Sequence, residues 1–216
     1  ADPRLFALVG NPNTGKTTLF NALTGLRQKV ANYPGVTVEK KEGTGRDRNG
    51  NEFRLIDLPG AYSLDAKSPD EEVTRAVLHG ERADTPRPDA VICLIDASNL
   101  ERNFYLATQV MELGLPTIIV LNKSDEATER GITIAAKKLA ERLGVPVVPM
   151  QANARVGMER LQVALSGAEL AKPNWEKVEG DTVARYEKIR ALLKGAVARG
   201  EAERLTPTDR WDRVLV

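Results

Sequence analysis

The strongest constraint on the fold of this chain is a glycine-rich segment near its N-terminus. Residues 10–17 read GNPNTGKT and fit the pattern G-x-x-x-x-G-K-[ST]. A hydrophobic run precedes this segment and a helical pattern follows it, which is the context that the pattern requires. The glycines allow backbone N–H groups to turn inward around phosphate oxygens, and a helix N-terminus favours the same negative charge. The segment therefore predicts a strand, a phosphate-binding loop and a helix, in that order.

Short apolar runs alternate with helical patterns along most of the chain. The runs AVICLID and TIIVLN are apolar until their polar ends, which is typical of strands buried on both faces of a parallel sheet. The alternation predicts an open α/β sheet, mostly parallel and flanked by helices. Strands are predicted at residues 5–10, 53–57, 90–96, 117–122 and 145–150, with a polar edge strand at 36–45. Helices are predicted at residues 16–26, 69–79, 102–113, 134–143 and 158–170.

The pattern changes near residue 172. Apolar residues then recur at spacings of three or four, which predicts one amphipathic helix carrying Val183, Tyr186, Ile189, Leu193 and Val197. Thr206 and Pro207 suit the start of a second helix. We therefore predict an α/β domain over residues 1–171 and a small all-helical domain over residues 172–216 that packs on it.

Composition excludes several classes of function. Lys and Arg number 31 against 30 Asp and Glu, so net charge gives no reason to expect a nucleic acid as partner. One cysteine and one histidine exclude an internal disulfide and a metal site built from several such residues. No secretory signal and no apolar run of bilayer-spanning length is found, which predicts a soluble, cytosolic chain. Cys93 is predicted to be a core residue, and Asp70, Glu71 and Glu72 are predicted to form the acidic first turn of a helix.

Further motifs define a nucleotide site. Lys16 reaches the β- and γ-phosphates, and the Thr17 hydroxyl is a ligand for Mg²⁺. In DLPG, the Asp57 carboxylate suits Mg²⁺ through a water, and the Gly60 N–H suits a γ-phosphate. The order of these motifs along the chain is that of a GTP site.

The base is predicted from the segment NKSD, residues 122–125. The Asp125 carboxylate can accept the N1 and N2 protons of guanine, which adenine does not offer. The stem of Lys123 can cover the plane of the base. Guanine is therefore predicted rather than adenine.

This set of motifs resembles the small GTP-binding proteins of the P-loop class. The segments NPNTGKTTLFNALTG, NYPGVTVEK, DLPGAYSL and NLERNFYLATQVMELGLP together resemble the N-terminal cytosolic part of the FeoB family of bacterial ferrous-iron transporters. RYEKIRALLKGAV and LTPTDRWDRVLV resemble the helical domain of that family. The resemblance runs from about residue 4 to residue 216. It implies a P-loop GTPase G domain followed by a helical domain, with GTP or GDP and Mg²⁺ as ligands.

The resemblance also assigns residue roles. Thr37 matches the switch I threonine that ligates Mg²⁺ in the presence of a γ-phosphate, and Asn13 matches the asparagine that helps bind K⁺ in K⁺-stimulated members. Ala152 aligns with the alanine whose N–H contacts guanine O6, although Gln151 replaces the usual serine. The predicted catalytic residues are Lys16, Thr37, Gly60 and Asn13. The predicted nucleotide site comprises Gly10, Asn11, Pro12, Asn13, Thr14, Gly15, Lys16, Thr17, Thr18, Gly35, Val36, Thr37, Asp57, Gly60, Asn122, Lys123, Asp125, Gln151, Ala152 and Asn153.

Ala61 stands where Ras-like enzymes carry the glutamine that orients the attacking water. An alanine cannot orient water, so we expect slow intrinsic hydrolysis, and we take the switch I backbone as the hypothetical group that places the water. FeoB relatives also lack this glutamine, which agrees with the resemblance.

The resemblance implies a regulatory domain in which GTP-dependent ordering of the switches is coupled to ferrous-iron uptake. Its expected location is the cytosolic face of the bacterial inner membrane. Its expected partners are a C-terminal transmembrane iron-permeation domain, small Feo accessory proteins and further copies of the chain, with no nucleic acid. Two alternatives stay open: an assembly or RNA-modification GTPase of the K⁺-dependent class, and a nucleotide sensor with incidental hydrolysis.

Overall fold

A computed structural model describes residues 2–25, 27–167 and 170–200. Within these residues, a seven-stranded sheet is flanked by helices, with a two-stranded sheet beside it. The strands are β1 (Arg4–Gly10), β2 (Gln28–Asn32), β3 (Glu39–Arg46), β4 (Glu52–Asp57), β5 (Ala90–Asp96), β6 (Thr117–Asn122), β7 (Ile132–Ile134), β8 (Val147–Pro149) and β9 (Val197–Arg199). The helices are α1 (Lys16–Thr24), α2 (Pro69–His79), α3 (Leu100–Met111), α4 (Ser124–Glu129), α5 (Ala136–Leu143), α6 (Met158–Leu165) and α7 (Thr182–Leu193).

The main sheet confirms the predicted α/β class. Its strand order is β2-β3-β4-β1-β5-β6-β8. Strands β4, β1, β5, β6 and β8 pair in parallel, whereas β2 and β3 add an antiparallel hairpin at one edge. The carboxyl ends of the parallel strands therefore meet at one edge of the sheet, where ligands bind in open α/β folds.

The central strands are buried on both faces, as their unbroken apolar runs predict. Along β5, Val91, Cys93 and Ile95 belong to the core on one face of the sheet, and Ile92 and Leu94 belong to the core on the other. Burial raises the pKa of the Cys93 thiol to about 12, so Cys93 is a core residue as predicted.

Several predicted boundaries differ from the structure for physical reasons. The predicted edge strand at 36–45 is observed as β3, which begins only at Glu39. It does not form the edge of the sheet, because the exposed strand β2 pairs with its outer side. The predicted helix at 134–143 begins at Ala136, since Ile134 pairs with Val197 in the small sheet. The predicted helix at 158–170 ends at Leu165, and the short helix α4 was not predicted.

The segment after residue 171 packs α7 against the main domain. Asp181 begins the helix by accepting from the N–H groups of Val183 and Ala184. Arg185 forms an ion pair with Glu112 beside α3, at 2.7 Å between Nη1 and Oε1, with both side chains largely buried.

The tail is only partly helical as far as it is described. Helix α7 ends before Lys194, whose backbone is extended, and Gly195 follows with φ 68°, so Val197 lies in β9 rather than on the helix. The second predicted helix at Thr206 lies outside the described residues, and the all-helical domain stays a prediction. In the described part of the chain, no helix combines the length and apolar character needed to cross a bilayer.

Candidate functional site

The loop between β1 and α1 wraps tightly at the carboxyl edge of the sheet. Asn13 and Gly15 have left-handed backbones, with φ of 64° and 95°. A Cβ on Gly10 would lie 2.6 Å from the carbonyl oxygen of Leu94, and a Cβ on Gly15 would lie 2.5 Å from Asn122 Nδ2. A side chain at either glycine would clash with a neighbouring residue, so both positions require glycine. The loop has the tight turn that the sequence predicts, and its binding of phosphate stays a prediction.

The side chain of Asn122 joins three parts of the chain. It is 5% exposed at the end of β6. Its Nδ2 donates to the carbonyl oxygen of Thr14 at 2.8 Å, and its Oδ1 accepts from the N–H of Ala152 at 2.9 Å. The phosphate loop, the NKSD segment and the loop after β8 are thus brought together as the sequence predicts.

An unpredicted carboxylate positions Lys123. Lys123 has a left-handed backbone with φ 57°, and its Nζ lies 2.8 Å from Asp96 Oδ2. The other oxygen of Asp96 accepts from the N–H and the hydroxyl of Ser98, at 2.9 and 2.7 Å. Asp96 directly neighbours Asn122 in the β5–β6 register, and this register was the signal that could have revealed it. Asp125 lies in the first turn of α4.

The loop after β8 is closed by its own backbone. Gln151 exchanges two backbone hydrogen bonds with Val156, at 3.0 and 3.2 Å. Because the Ala152 N–H donates to Asn122, it is already engaged in this structure. The contact of Ala152 with guanine O6 stays a prediction, as do the contacts of Gln151 and Asn153 with the base.

A cavity of about 260 Å³ lies next to the phosphate loop. Gly60 adjoins Lys16, since a Cβ on Gly60 would lie 3.2 Å from Lys16 Nζ. The cavity is lined by Lys16, Thr17, Val38, Glu39, Lys41, Asp57, Leu58, Pro59, Gly60 and Asp70. The structure therefore brings together Lys16, Thr17, Asp57 and Gly60, as the sequence predicts.

The side chain of Asp57 is suited to bind a cation. Its Oδ1 is buried and has no hydrogen-bond partner among the described residues. Burial raises the pKa of Asp57 to about 6, although the charges of Lys16 and Lys41 act in the opposite direction. Burial likewise lowers the pKa of Lys16, and the charge of Asp57 partly offsets that effect. A buried oxygen without a partner is what a hydrated Mg²⁺ would satisfy, so Asp57 and Thr17 suit that ion.

Thr37 is not brought to this cavity. It is exposed, together with Gly35 and Val36, whereas Val38 and Glu39 line the cavity in the part of the chain that is described. Contact of these three residues with the nucleotide stays a prediction. Asn13 is exposed on the phosphate loop, and its role toward K⁺ also stays a prediction.

The segment after DLPG is fixed by two residues that the sequence did not reveal. Glu71 is 7% exposed. Its carboxylate accepts from the N–H groups of Tyr62 at 3.2 Å, Ser63 at 3.3 Å and Lys67 at 3.0 Å. The side chain of Gln109 accepts from Leu64 N–H at 2.8 Å and donates to Asp65 at 3.1 Å. Glu71 does lie in a helix first turn as predicted, but its burial depends on tertiary packing.

Comparisons with known proteins match this chain to ferrous iron transport proteins. The family model described as "Ferrous iron transport protein B" matches residues 4–165. The Fe(2+) transporter FeoB of Escherichia coli K12 is 46% identical over 163 residues, which is 73% of this chain and 20% of that protein. The chain thus spans about a fifth of the length of such curated relatives.

Solved structures agree in fold. The cytosolic domain of L. pneumophila FeoB matches with TM-score 0.79 and 33% identity, covering 90% of this chain and 100% of that chain. The cytosolic domain of T. maritima FeoB in GMPPNP form matches with TM-score 0.71 and 36% identity, covering 89% and 75%. Its GDP form II matches with TM-score 0.72 and 36% identity, covering 90% and 76%.

We predict that Asn122→Ala destabilises the protein and weakens nucleotide binding. It leaves the Thr14 carbonyl and the Ala152 N–H without their side-chain partner, and the free energy of unfolding should fall by about 1–3 kcal/mol. Urea denaturation measures this change, and the Kd for GDP should rise with it. Ser124→Ala is the matched control, because the Ser124 N–H keeps its bond to the Met150 carbonyl. An equal loss in both variants would contradict the role of Asn122.

We predict that Asp57→Asn stabilises the protein in EDTA without nucleotide. The folded pKa of about 6 lies above the unfolded value, so wild-type stability falls as pH rises through the window between them. At about pH 7.5 the variant should therefore gain roughly 1–3 kcal/mol in free energy of unfolding. The gain should shrink on acidification to about pH 4.5, where folded Asp57 is protonated in the wild type.

Glu187→Gln is the control for Asp57→Asn, because Glu187 is exposed on α7. The difference in free energy of unfolding between Glu187→Gln and the wild type should stay the same at the two pH values. A difference between Asp57→Asn and the wild type that grows on acidification would be the wrong sign and would refute the buried-charge account.

Proposed function

The chain belongs to the FeoB family of ferrous iron transport proteins, and on this premise we propose that it is a regulatory G domain that binds and hydrolyses GTP. The observation that supports the proposal is the junction at Asn122, whose side chain joins the phosphate loop to the segments that we propose bind the base. The nucleotide forms of the T. maritima relative support GTP and GDP as its ligands.

The chemistry is attack of water on the γ-phosphate, with no covalent intermediate. Lys16 adjoins Gly60, so one cation and one backbone N–H can both face the γ-phosphate. Magnesium, held by Thr17 and through water by Asp57, would neutralise charge on the phosphate oxygens. Position 61 carries an alanine that is 1% exposed, so the water is placed by another group, for which we propose the switch I backbone. Slow intrinsic hydrolysis follows.

A monovalent cation is part of the proposal. Asn13 is exposed on the phosphate loop and has an amide oxygen available to K⁺. Such an ion would offset developing negative charge where no arginine is supplied. We therefore propose that hydrolysis is stimulated by K⁺.

Two segments would respond to the γ-phosphate, one carrying Thr37 and one beginning at Gly60. The second is held by Glu71 and by Gln109 of α3, and α3 packs on α7 through Tyr105, whose ring lies 5.3 Å from that of Tyr186. We propose that this packing transmits the nucleotide state toward a transmembrane iron-permeation domain, with the chain at the cytosolic face of the membrane. Accessory Feo proteins and further copies of the chain are proposed partners.

We predict that Asp125→Asn shifts base preference from guanosine toward xanthosine nucleotides. An amide NH₂ replaces a carboxylate oxygen and matches the carbonyl that xanthine carries instead of an amino group. The Kd for GDP should rise by about 100-fold, while that for xanthosine diphosphate falls, since a lost charged hydrogen bond is worth about 1.5–3 kcal/mol. Competition binding measures both values, and retained preference for GDP would contradict the guanine assignment.

We predict faster hydrolysis in KCl than in NaCl at equal ionic strength. The wild-type rate should rise by at least about tenfold, since electrostatic groups at this position contribute on the order of 10²–10³. Asn13→Ala should remove the difference between the two salts. Phosphate release under single-turnover conditions measures it, and equal wild-type rates would overturn K⁺ stimulation while leaving GTP binding intact.

A further inference from the structure

The loop that carries Thr37 is closed by backbone hydrogen bonds at Tyr33. Tyr33 is 1% exposed. Its N–H donates to the Val38 carbonyl at 2.9 Å, and its own carbonyl accepts from the Val36 N–H at 3.2 Å. The two ends of the loop therefore meet, and Thr37 lies exposed between them. For Thr37 to reach the phosphate cavity, this loop has to open or move as a unit.

Two cations from different segments contact the Tyr33 ring. The guanidinium carbon of Arg82 lies 5.0 Å from the ring centroid, and Lys40 Nζ lies 5.6 Å from it. Arg82 also donates from Nη2 to the carbonyl of Pro34, at 3.2 Å. Arg82 therefore contacts the loop twice, at the ring of one residue and at the backbone of the next.

Asp84 holds both cations in place. Arg82 Nε lies 2.8 Å from Asp84 Oδ1, and Lys40 Nζ donates to the Asp84 carbonyl at 3.0 Å. The other Asp84 oxygen lies 3.2 Å from the hydroxyl of Thr85, which is fully buried. Tyr33, Lys40, Arg82 and Asp84 form what we call the Tyr33 latch. It ties the Thr37 loop to the connection between α2 and β5.

The Tyr33 latch adjoins the phosphate cavity at Lys40, whose chain neighbours Glu39 and Lys41 line it. Within the described residues, neither Arg82 nor Tyr33 lines that cavity. The proposed effect of Arg82 on nucleotide binding therefore passes through the position of the loop rather than through a contact with the nucleotide. The latched position also has an internal cost, because the buried Tyr33 hydroxyl has no hydrogen-bond partner among the described residues.

We propose that Arg82 is a positioning residue that holds the Thr37 loop outward through Tyr33 and thereby weakens the binding of GTP relative to that of GDP. The inference rests on the proposed function, in which Thr37 is needed for the γ-phosphate. GDP has no γ-phosphate and binds whether or not the loop is latched. GTP needs the unlatched loop, so its apparent affinity falls in proportion to the latched population.

The test compares the Kd of GDP with that of GMPPNP, a non-hydrolysable GTP analogue, in Mg²⁺ buffer. Arg82→Met keeps an unbranched apolar stem and removes the charge and the donors. It should tighten GMPPNP binding by about 3–10-fold while the Kd for GDP stays within about twofold. Arg82→Lys restores a cation over the ring. It should bring the ratio of the two Kd values part of the way back to the wild-type ratio.

Tyr33→Phe should change the ratio of the two Kd values in the direction opposite to that of Arg82→Met. It keeps an aromatic ring between the two cations and removes the hydroxyl that has no partner, so it stabilises the latched loop. GMPPNP binding should weaken by about 3–10-fold, with GDP unchanged. If Tyr33→Phe moved the ratio in the same direction as Arg82→Met, the latch would be refuted.

Arg87→Met is the matched control in the same connection. Arg87 donates to the carbonyls of Leu78 and Leu113 rather than to the Thr37 loop. It should leave the ratio of the two Kd values unchanged. An equal change of both Kd values in Arg82→Met, or no change, would overturn the proposal. If the wild type bound neither nucleotide, the proposed function itself would fail, which is a different result.

Discussion

The buried amide of Asn122 is the interaction on which the rest of the site depends. One side chain satisfies a carbonyl of the phosphate loop and an N–H of the loop after β8, which are far apart in sequence. Because both groups are buried, the amide fixes their separation more firmly than a solvated contact would. Position 15 requires a glycine because of this same amide, which any side chain there would meet. The segments of the proposed phosphate and base sites are thus held together by one hydrogen-bonded junction.

Around this rigid junction lie two segments that are held by side chains. Glu71 and Gln109 hold the segment after Gly60, and the Tyr33 latch holds the segment that carries Thr37. Both anchors use polar or cation–π contacts of side chains, although Tyr33, Val38 and Ala61 are themselves buried in the core. We propose that a γ-phosphate competes with these side-chain contacts, whereas the Asn122 junction stays in place. This contrast between a fixed base site and adjustable phosphate segments is what a nucleotide-dependent regulator requires.

The sequence predicted the parts of the fold that burial dictates. The bounds of β5 and β6 follow from apolar runs with polar ends, because strands buried on both faces accept few polar residues. The motifs of the phosphate loop and of NKSD were also found from sequence, since each needs particular residues at fixed spacing. The exposed strand β2 and the small sheet of β7 and β9 were missed, because polar or three-residue strands have no pattern of their own. Asp96 and Arg82 were missed because Lys123 and Tyr33, which they contact, are distant in sequence. Glu71 was predicted only as part of a helix first turn, since nothing in the sequence shows that the loop before the helix folds back onto its carboxylate.

The central claim is that GTP, and not GDP, changes the Thr37 loop and the segment after Gly60 around a site that stays fixed. Amide hydrogen exchange of the chain saturated with GDP or with GMPPNP tests it most directly. The account predicts a difference in exchange between the two nucleotide states at Val36 to Val38 and at Ala61 to Leu64, with β5 and β6 unchanged. Identical exchange in the two nucleotide states, or a change spread evenly over the sheet, would contradict it.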